Sequence, residues 1–352
     1  MKHLAINGFG RIGRLAARVW HQFHTDQAVI AAINTSGSLD LAGWAHLLKY
    51  DTAYRAFLGT ISFEEHQKAS TASVKDPFLG NLIIDNKYKI PVLAERDPSL
   101  IPWSRYGAEI IIESTGVFTT LDLASKHLDG GAKKVVISAP GKGGGIPTSV
   151  LGVNAASIDN SASVINNASC TTNCVAPVAA IIEGGLGIKK AGMTTIHSFT
   201  DDQNTQDGSH RDLRRARAAS YNIVPTSTGA AIATTETIPA LKGLFDGIAL
   251  RVPTLTGSLT DFTFLVKKNT SKEEVNNLFT EASKLPRWQG ILAVTSEPIV
   301  SSDVVGRRES ALVDLSLTQV IDGDLVKVFA WYDNEWGYAN RLVETAISLA
   351  SA

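Results

Sequence analysis

The residues with the most chemistry in this chain stand together in Asn167-Ala168-Ser169-Cys170-Thr171-Thr172-Asn173-Cys174, which holds both cysteines of the 352-residue sequence. The run is polar. The segment after it is apolar, with Val175, Val178, Ala179 and Ile182 at helical spacing, so it reads as a loop entering a helix, with Ser169 or Thr171 as N-cap. Cys170 then sits at a helix N-terminus, where unpaired amides favour an anion and a thiol becomes a nucleophilic thiolate. Such a nucleophile needs a base. His197 follows the β-branched run Met193-Thr194-Thr195-Ile196, which reads as a strand, so its imidazole emerges at a strand end. The two cysteines could instead form a disulfide or half a metal site, or be plain buried residues. A disulfide across one helical turn has poor geometry, and no further ligands stand at metal spacing, so no metal is expected.

A second constellation lies near the N-terminus. Leu4-Ala5-Ile6 leads through Asn7-Gly8-Phe9-Gly10-Arg11-Ile12-Gly13-Arg14 into the helical run Leu15 to Phe23, and Ala28 to Ile33 follows as a second strand. Glycines at 8, 10 and 13 between a strand and a helix fit a dinucleotide fingerprint, with the pyrophosphate on the helix N-terminus. At the end of the second strand an acidic residue would take the ribose 2′-OH of NAD. Here the chain has Asn34-Thr35-Ser36-Gly37-Ser38, whose small hydroxyl residues suit a 2′-phosphate, and Asp40 stands too late for the usual role. The expectation is NADP, or use of both cofactors.

These residues must be positioned by elements, and the pattern supplies them. Strand and helix alternate through the first half: a helix from Leu41 to Lys49, a hairpin around Asp85-Asn86, buried strands in 109–116 and 134–140, and a helix from Leu121 to His127. That alternation predicts a doubly wound, Rossmann-type parallel sheet. After Cys170 strands predominate, in 194–199, 247–252, 261–267, 311–320 and 324–331, with helices in 230–238 and 272–283, so a second, α+β domain with a mostly antiparallel sheet is expected. The final helix, 335–352, shows an apolar stripe at Leu342, Val343, Ala346, Ile347 and Ala350 that needs a partner. The expected division is a dinucleotide-binding domain over 1–169, with the last helix packing back on it, and a catalytic domain over 170–334.

Composition excludes several classes. A hydrophobic share of 44% with 19% charged residues is that of a globular protein, and a net charge of −1 leaves no footprint for nucleic acid. The start shows no signal-peptide core and no apolar run reaches the length of a membrane span, so no membrane association is expected. Few cysteines, one of them reactive, point to a reducing, cytoplasmic setting. The basic cluster His210 to Arg217 carries an acidic residue and reads as an anion site or subunit contact.

Taken together, the chain resembles the phosphorylating glyceraldehyde-3-phosphate dehydrogenases over nearly its whole length. The resemblance is carried by Asn7 to Arg14, Leu47 to Asp51, Glu95 to Pro98, Ser114 to Phe118, Ser169 to Cys174, Asp212 to Ala219, Ser227 to Ala231, Arg251-Val252-Pro253 and Trp331 to Tyr338. It implies that Cys170 attacks the aldehyde of glyceraldehyde 3-phosphate and that His197 moves the protons. Hydride loss then leaves a thioester, which inorganic phosphate cleaves. It also implies a substrate-phosphate site of Thr200, Asp202 and Arg251, and an inorganic-phosphate site of Ser169, Thr171, Arg215, Thr228 and Gly229. Cofactor contacts are implied at Arg11, Ile12, Arg96, Ser138 and Asn334, in a homotetramer. Two positions depart from NAD-specific members. Thr35 replaces the selecting aspartate, and Gly208-Ser209 replaces a Leu-Pro pair lent by the neighbouring subunit, as in photosynthetic NADP-using members. Erythrose-4-phosphate dehydrogenase is the alternative within the class. A cysteine thioesterase or a nucleotide-binding module is the alternative outside it.

Overall fold

The structure is a computed structural model that describes residues 1–159 and 161–349. It divides into two units. One comprises Met1–Ser149, Ile158–Asn167 and the chain from Ala339 on, and the other comprises Val150–Ser157 and Ala168–Tyr338. Residues 150–157, grouped with the first half in the sequence, thus cluster with the second.

In the first unit the elements run β1 (Lys2–Asn7), α1 (Arg11–Phe23), β2 (Ala28–Thr35), α2 (Leu41–Lys49), a small ribbon of β3 (Tyr50–Asp51) and β4 (Arg55–Ala56), β5 (Ile61–Glu65), β6 (Phe78–Ile84), β7 (Tyr88–Ala94), β8 (Ile110–Glu113), α3 (Leu121–Asp129), β9 (Lys134–Ile137) and β10 (Val164–Asn166). Eight strands form one sheet in the order β10-β9-β8-β1-β2-β7-β6-β5. The pairs from β10 to β7 are parallel, and β6 and β5 are added antiparallel at one edge. The chain leaves β1 towards β2 on one side and returns to β8 on the other, so the strand order reverses beside β1, where such sheets place ligands.

The glycine turn follows β1. Gly8 has φ 91°, and a Cβ there would lie 2.8 Å from Thr115; a Cβ on Gly13 would lie 2.1 Å from the Gly8 carbonyl oxygen. Helix α1 therefore starts closer to the strands than any larger residue allows. The expected hairpin is present, with Asp85 and Asn86 at φ 54° and 53° between β6 and β7, a conformation these side chains tolerate. The long segment 62–80 supplies β5 and a loop that claims Asp40: Ala69 N–H donates to its carboxylate at 2.7 Å, and Lys68 lies 3.5 Å away.

The second unit contains α4 (Cys170–Leu186), β11 (Ile188–Ser198), β12 (Val224–Ser227), α5 (Ala230–Thr237), β13 (Phe245–Val252), β14 (Ser258–Val266), α6 (Lys272–Lys284), β15 (Leu292–Thr295), β16 (Ala311–Asp314), β17 (Gln319–Ile321) and β18 (Leu325–Tyr332). The sheet order is β12-β13-β11-β14-β18-β16-β15, with β17 on β18. Pairing is antiparallel except for β11 with β13 and β15 with β16. The single strand expected over 311–320 is broken, because Asp314 accepts the Ser316 N–H at 3.1 Å and turns the chain before β17. One face of the sheet, with Phe262, Phe264, Val326 and Val328, is buried in the same core as Cys174, Val175, Val178 and Ile182 of α4.

The last helix, α7 (Trp336–Leu349), begins in the second unit, and its residues from Ala339 cluster with the first. Leu342, Val343 and Ala346 of its expected stripe are buried, while Ala350 lies outside the described residues. Among the described residues no helix is long and apolar enough to cross a membrane, and no group of three or more His, Cys, Asp or Glu side chains could hold a metal ion.

Candidate active site

Helix α4 starts where its sequence signal falls. Ser169 is the N-cap, its hydroxyl accepting the Thr172 N–H at 3.0 Å. Ala168 before it takes φ 53°, a left-handed conformation uncommon for alanine, so the chain enters the helix through a sharp turn with Cys170 as the first helical residue. Strand β11 delivers His197 one residue from its end, with Nε2 3.3 Å from Cys170 Sγ. On the other side of the ring, Nδ1 is 2.6 Å from the Ser198 carbonyl oxygen, which can only accept. Nδ1 thus faces an obligate acceptor at 2.6 Å and an obligate donor, Arg251 Nη1, at 2.9 Å; with the ring proton directed to the nearer carbonyl, Nε2 presents its lone pair to the thiol.

The parallel register of β11 and β13 places His197 opposite Arg251. Arg251 Nη1 lies 2.9 Å from His197 Nδ1, donates to Ser198 O at 3.0 Å, and reaches Thr200 Oγ1 at 3.4 Å. A second brace comes from Tyr332, whose hydroxyl meets Thr195 Oγ1 of β11 at 2.8 Å and Thr171 Oγ1 of α4 at 3.1 Å. It ties the start of the helix to the strand that carries the base. Tyr332 lies in a motif that stands out in the sequence, but nothing in its spacing shows this bridge.

Burial is the largest influence on the charge of the pair. It pushes the half-buried Cys170 thiol up, against the positive charge of Arg251 and the contacts of Thr171. It pushes His197 down to about 3, with Arg251 acting in the same direction. Burial thus opposes the thiolate that Arg251 and the helix N-terminus favour. Passing the proton from Sγ to Nε2 leaves the total charge unchanged, so the nucleophile forms as half of an ion pair. Cys174, one turn on, is free and fully buried, and burial pushes its thiol well above the usual range, so it serves packing.

The residues carried over as anion ligands are less uniformly gathered. Arg251 and Thr200 stand together, and Ser169 and Thr171 flank Cys170 with hydroxyls already engaged by Thr172 and Tyr332. Asp202, expected beside Arg251, instead ion-pairs with Arg215, which Asp212 also approaches at 3.4 Å. Thr228 accepts the Ala230 N–H at 3.2 Å and Gly229 is the N-cap of α5, so both shape a helix start. Asn334 is buried, and its Oδ1 accepts from Ser258 Oγ at 2.8 Å and Gly257 N–H at 3.2 Å, which leaves its Nδ2 as the donor for a ligand.

In the first unit Gly8, Gly10, Asn34, Thr35, Ser36 and Arg96 line a cavity of about 560 Å³, joined by Thr115 of the Ser114 to Phe118 motif and by Trp44, which the sequence marked only as part of a helix. Arg11, Ile12, Gly13 and Ser138 are not in its wall. The Arg11 guanidinium is held by Asp51 at 2.6 Å, and Gly13 is spent on the close approach to Gly8. Thr35 is buried, and its hydroxyl donates to Leu93 O at 3.0 Å, so it cannot also donate to a phosphate. The groups left for that purpose are the Ser38 hydroxyl, which accepts from Ser36 Oγ at 3.1 Å, and Arg96, whose Nε donates to Ser36 O at 3.2 Å. The Ser209 side chain is exposed on its loop.

Comparison with known proteins agrees with this geometry. Residues 2–121 match the family model for the glyceraldehyde 3-phosphate dehydrogenase NAD binding domain, and residues 169–334 match that for its C-terminal domain. The chain is similar to a chloroplastic glyceraldehyde-3-phosphate dehydrogenase of Arabidopsis thaliana, at 48% identity over 99% of this chain and 83% of the relative. It is 46% identical to glyceraldehyde-3-phosphate dehydrogenase of Zymomonas mobilis over 99% of this chain and 98% of the relative. It is 48% identical to glyceraldehyde-3-phosphate dehydrogenase 2 of Streptomyces avermitilis over 98% and 97%.

Proposed function

Because the chain belongs to the glyceraldehyde-3-phosphate dehydrogenase family, we propose that it converts glyceraldehyde 3-phosphate and inorganic phosphate to 1,3-bisphosphoglycerate through a thioester on Cys170, with NAD or NADP as cofactor. The observation that carries this reading is the Cys170 Sγ to His197 Nε2 contact of 3.3 Å at a helix N-terminus, with Arg251 beside the imidazole.

His197 takes the thiol proton as Sγ attacks the aldehyde carbon. The resulting oxyanion faces the Cys170 backbone N–H and the protonated Nε2, both donors fixed before the substrate arrives. Nε2 passes its proton to the oxyanion to give the hemithioacetal, and then takes the hydroxyl proton back as the hydride leaves the carbon and the C=O of the thioester forms. When bound, the dinucleotide supplies the acceptor for the hydride that leaves this carbon. Arg251 and Thr200 hold the substrate's phosphate, and Arg215 is the charged group for the attacking phosphate, which must compete with Asp202 for it. Phosphate attack on the thioester expels the thiolate, which the imidazolium reprotonates.

The cofactor cavity fits the adenosine side of a dinucleotide, since the Gly8 turn leaves no room for a side chain where the pyrophosphate needs backbone. No carboxylate stands at Thr35, and Asp40 is turned to the 62–80 loop, so Ser38 and Arg96 offer donors to a 2′-phosphate. This supports use of NADP as well as NAD. Thr35→Asp together with Ser209→Pro is expected to shift the NADP/NAD ratio of kcat/KM towards NAD by about tenfold or more, because a carboxylate accepts from both ribose hydroxyls and repels the phosphate. An unchanged ratio would assign the choice to other residues.

A homotetramer is supported by apolar side chains left exposed in the second unit, among them Ile223, Ile232 and Ile248. The test of the whole reading is initial-rate kinetics on the purified protein with glyceraldehyde 3-phosphate, phosphate and either cofactor. Acyl-phosphate formation with either one supports it. Activity with erythrose 4-phosphate alone would favour the sibling dehydrogenase.

A further inference from the structure

Behind the wall of the cofactor cavity lies a buried polar network that the reaction does not use. Glu113, at the end of β8, is 1% exposed, and His127 of α3 is fully buried against it. His127 Nε2 is 2.9 Å from Glu113 Oε2, and Trp103 Nε1 is 3.1 Å from His127 Nδ1. An indole N–H can only donate, so Nδ1 accepts and the ring proton sits on Nε2. His127 is thus a neutral imidazole that donates to the carboxylate. Asn7 Nδ2 donates to the same Oε2 at 2.5 Å, and the Thr115 N–H, at 2.8 Å, and hydroxyl both donate to Oε1. Two donors on each oxygen fit an ionised carboxylate, because a proton on either oxygen would displace one of them.

The orientation continues outward. With Nδ2 committed to Glu113, Asn7 can offer Asn34 only its Oδ1, and Asn34 Nδ2 donates there at 2.7 Å and to Glu95 O at 2.8 Å. Asn34 Oδ1 in turn accepts the Glu95 N–H at 3.0 Å. Asn7, Asn34, Glu95 and Thr115 all line the cavity. The sense of Asn7 is thus set by one buried anion, and it matches the sense that the Glu95 backbone gives Asn34.

We propose that Glu113, with His127 behind it, is a positioning residue for the dinucleotide, holding Asn7, Asn34 and Thr115 in the orientation the cofactor cavity requires. The inference rests on the reading of that cavity as the dinucleotide site. A glutamine at 113 has one acceptor and one donor group, so either Asn7 and His127 or both Thr115 donors would face an NH₂. An Asn7 that flips in response turns a donor on Asn34.

The test is equilibrium binding of NAD and NADP by calorimetry, with steady-state kinetics, on the full-length protein. Glu113→Gln is expected to weaken binding and raise the cofactor KM by about tenfold, the scale of one buried hydrogen-bond mismatch, with kcat at saturation within about twofold. His127→Gln keeps one acceptor for Trp103 and one donor for Glu113 and is expected to bind like the wild type. His127→Leu removes both and is expected to bind as weakly as Glu113→Gln. Binding by Glu113→Gln equal to wild type, or equal effects of His127→Gln and His127→Leu, would overturn the positioning role; the His127 pair decides the matter if Glu113→Gln does not fold. A wild-type protein that binds neither dinucleotide would instead overturn the cofactor reading beneath it.

Discussion

Cys170→Ser is expected to lower kcat/KM by more than about a thousandfold in both directions of the reaction, on the scale of losing a covalent nucleophile. The geometry gives the reason. A proton can pass from Sγ to Nε2 across 3.3 Å because the transfer makes an ion pair rather than a lone buried charge, and a thiol is acidic enough to enter such a pair although burial raises it and lowers the imidazole. A serine hydroxyl is far less acidic in the same buried place, and the ester it would form resists phosphate more than a thioester does. Oxygen fits where sulfur was, so the fold and the cofactor cavity, which lies in the other unit, should be untouched. Dinucleotide affinity equal to wild type with activity lost is the expected pair of results. A serine variant that still turns over would remove Cys170 from the mechanism.

His197→Asn is expected to cost about 10² to 10⁴ in kcat, the usual worth of a positioned acid–base group. It also has a readout separate from turnover, the pH profile of Cys170 alkylation by iodoacetamide. In the wild type the thiolate forms with the imidazole as proton acceptor. Without it the thiol must ionise alone, against the burial that already pushes it up, with help from Arg251, the Thr171 hydroxyl and the helix N-terminus. The alkylation midpoint therefore moves to higher pH, and the rate at neutral pH falls. An unmoved profile would show that those groups suffice and that His197 acts only on the substrate's protons.

The features legible in the sequence are those set by local chemistry. The Gly8-Gly10-Gly13 turn, the Ser169 cap with Cys170 behind it, and the Asp85-Asn86 hairpin each follow from a few adjacent residues whose conformational needs allow little else. Features set by register were not legible. Nothing near His197 in the chain announces Arg251, which arrives through a parallel pairing with a strand 54 residues on. Tyr332 reaches Thr171 and Thr195 from 161 and 137 residues away. The short strand β12 carries Pro225 and sits at the sheet edge, where neither period nor propensity marks it strongly. Thr35 shows the opposite failure. Its type suggested a donor to the cofactor, but a hydroxyl's partner depends on which carbonyl lies within reach, and here that is Leu93.

The division of the chain also has a consequence for how the protein is made. The first unit takes in residues from the start of the chain, the strand β10, and α7 from Ala339 onward, where Thr345 donates to Asn167 at 2.8 Å. A ribosome that has released the whole nucleotide fingerprint has therefore not yet supplied the helix that helps complete the same unit. The second unit, Ala168–Tyr338 with Val150–Ser157, is by contrast one nearly continuous stretch that needs nothing from the start of the chain. Until the residues past 339 appear, the nascent first unit lacks a helix whose Leu342, Val343 and Ala346 are buried in the finished structure. That interval is when a holding chaperone would find apolar surface to bind.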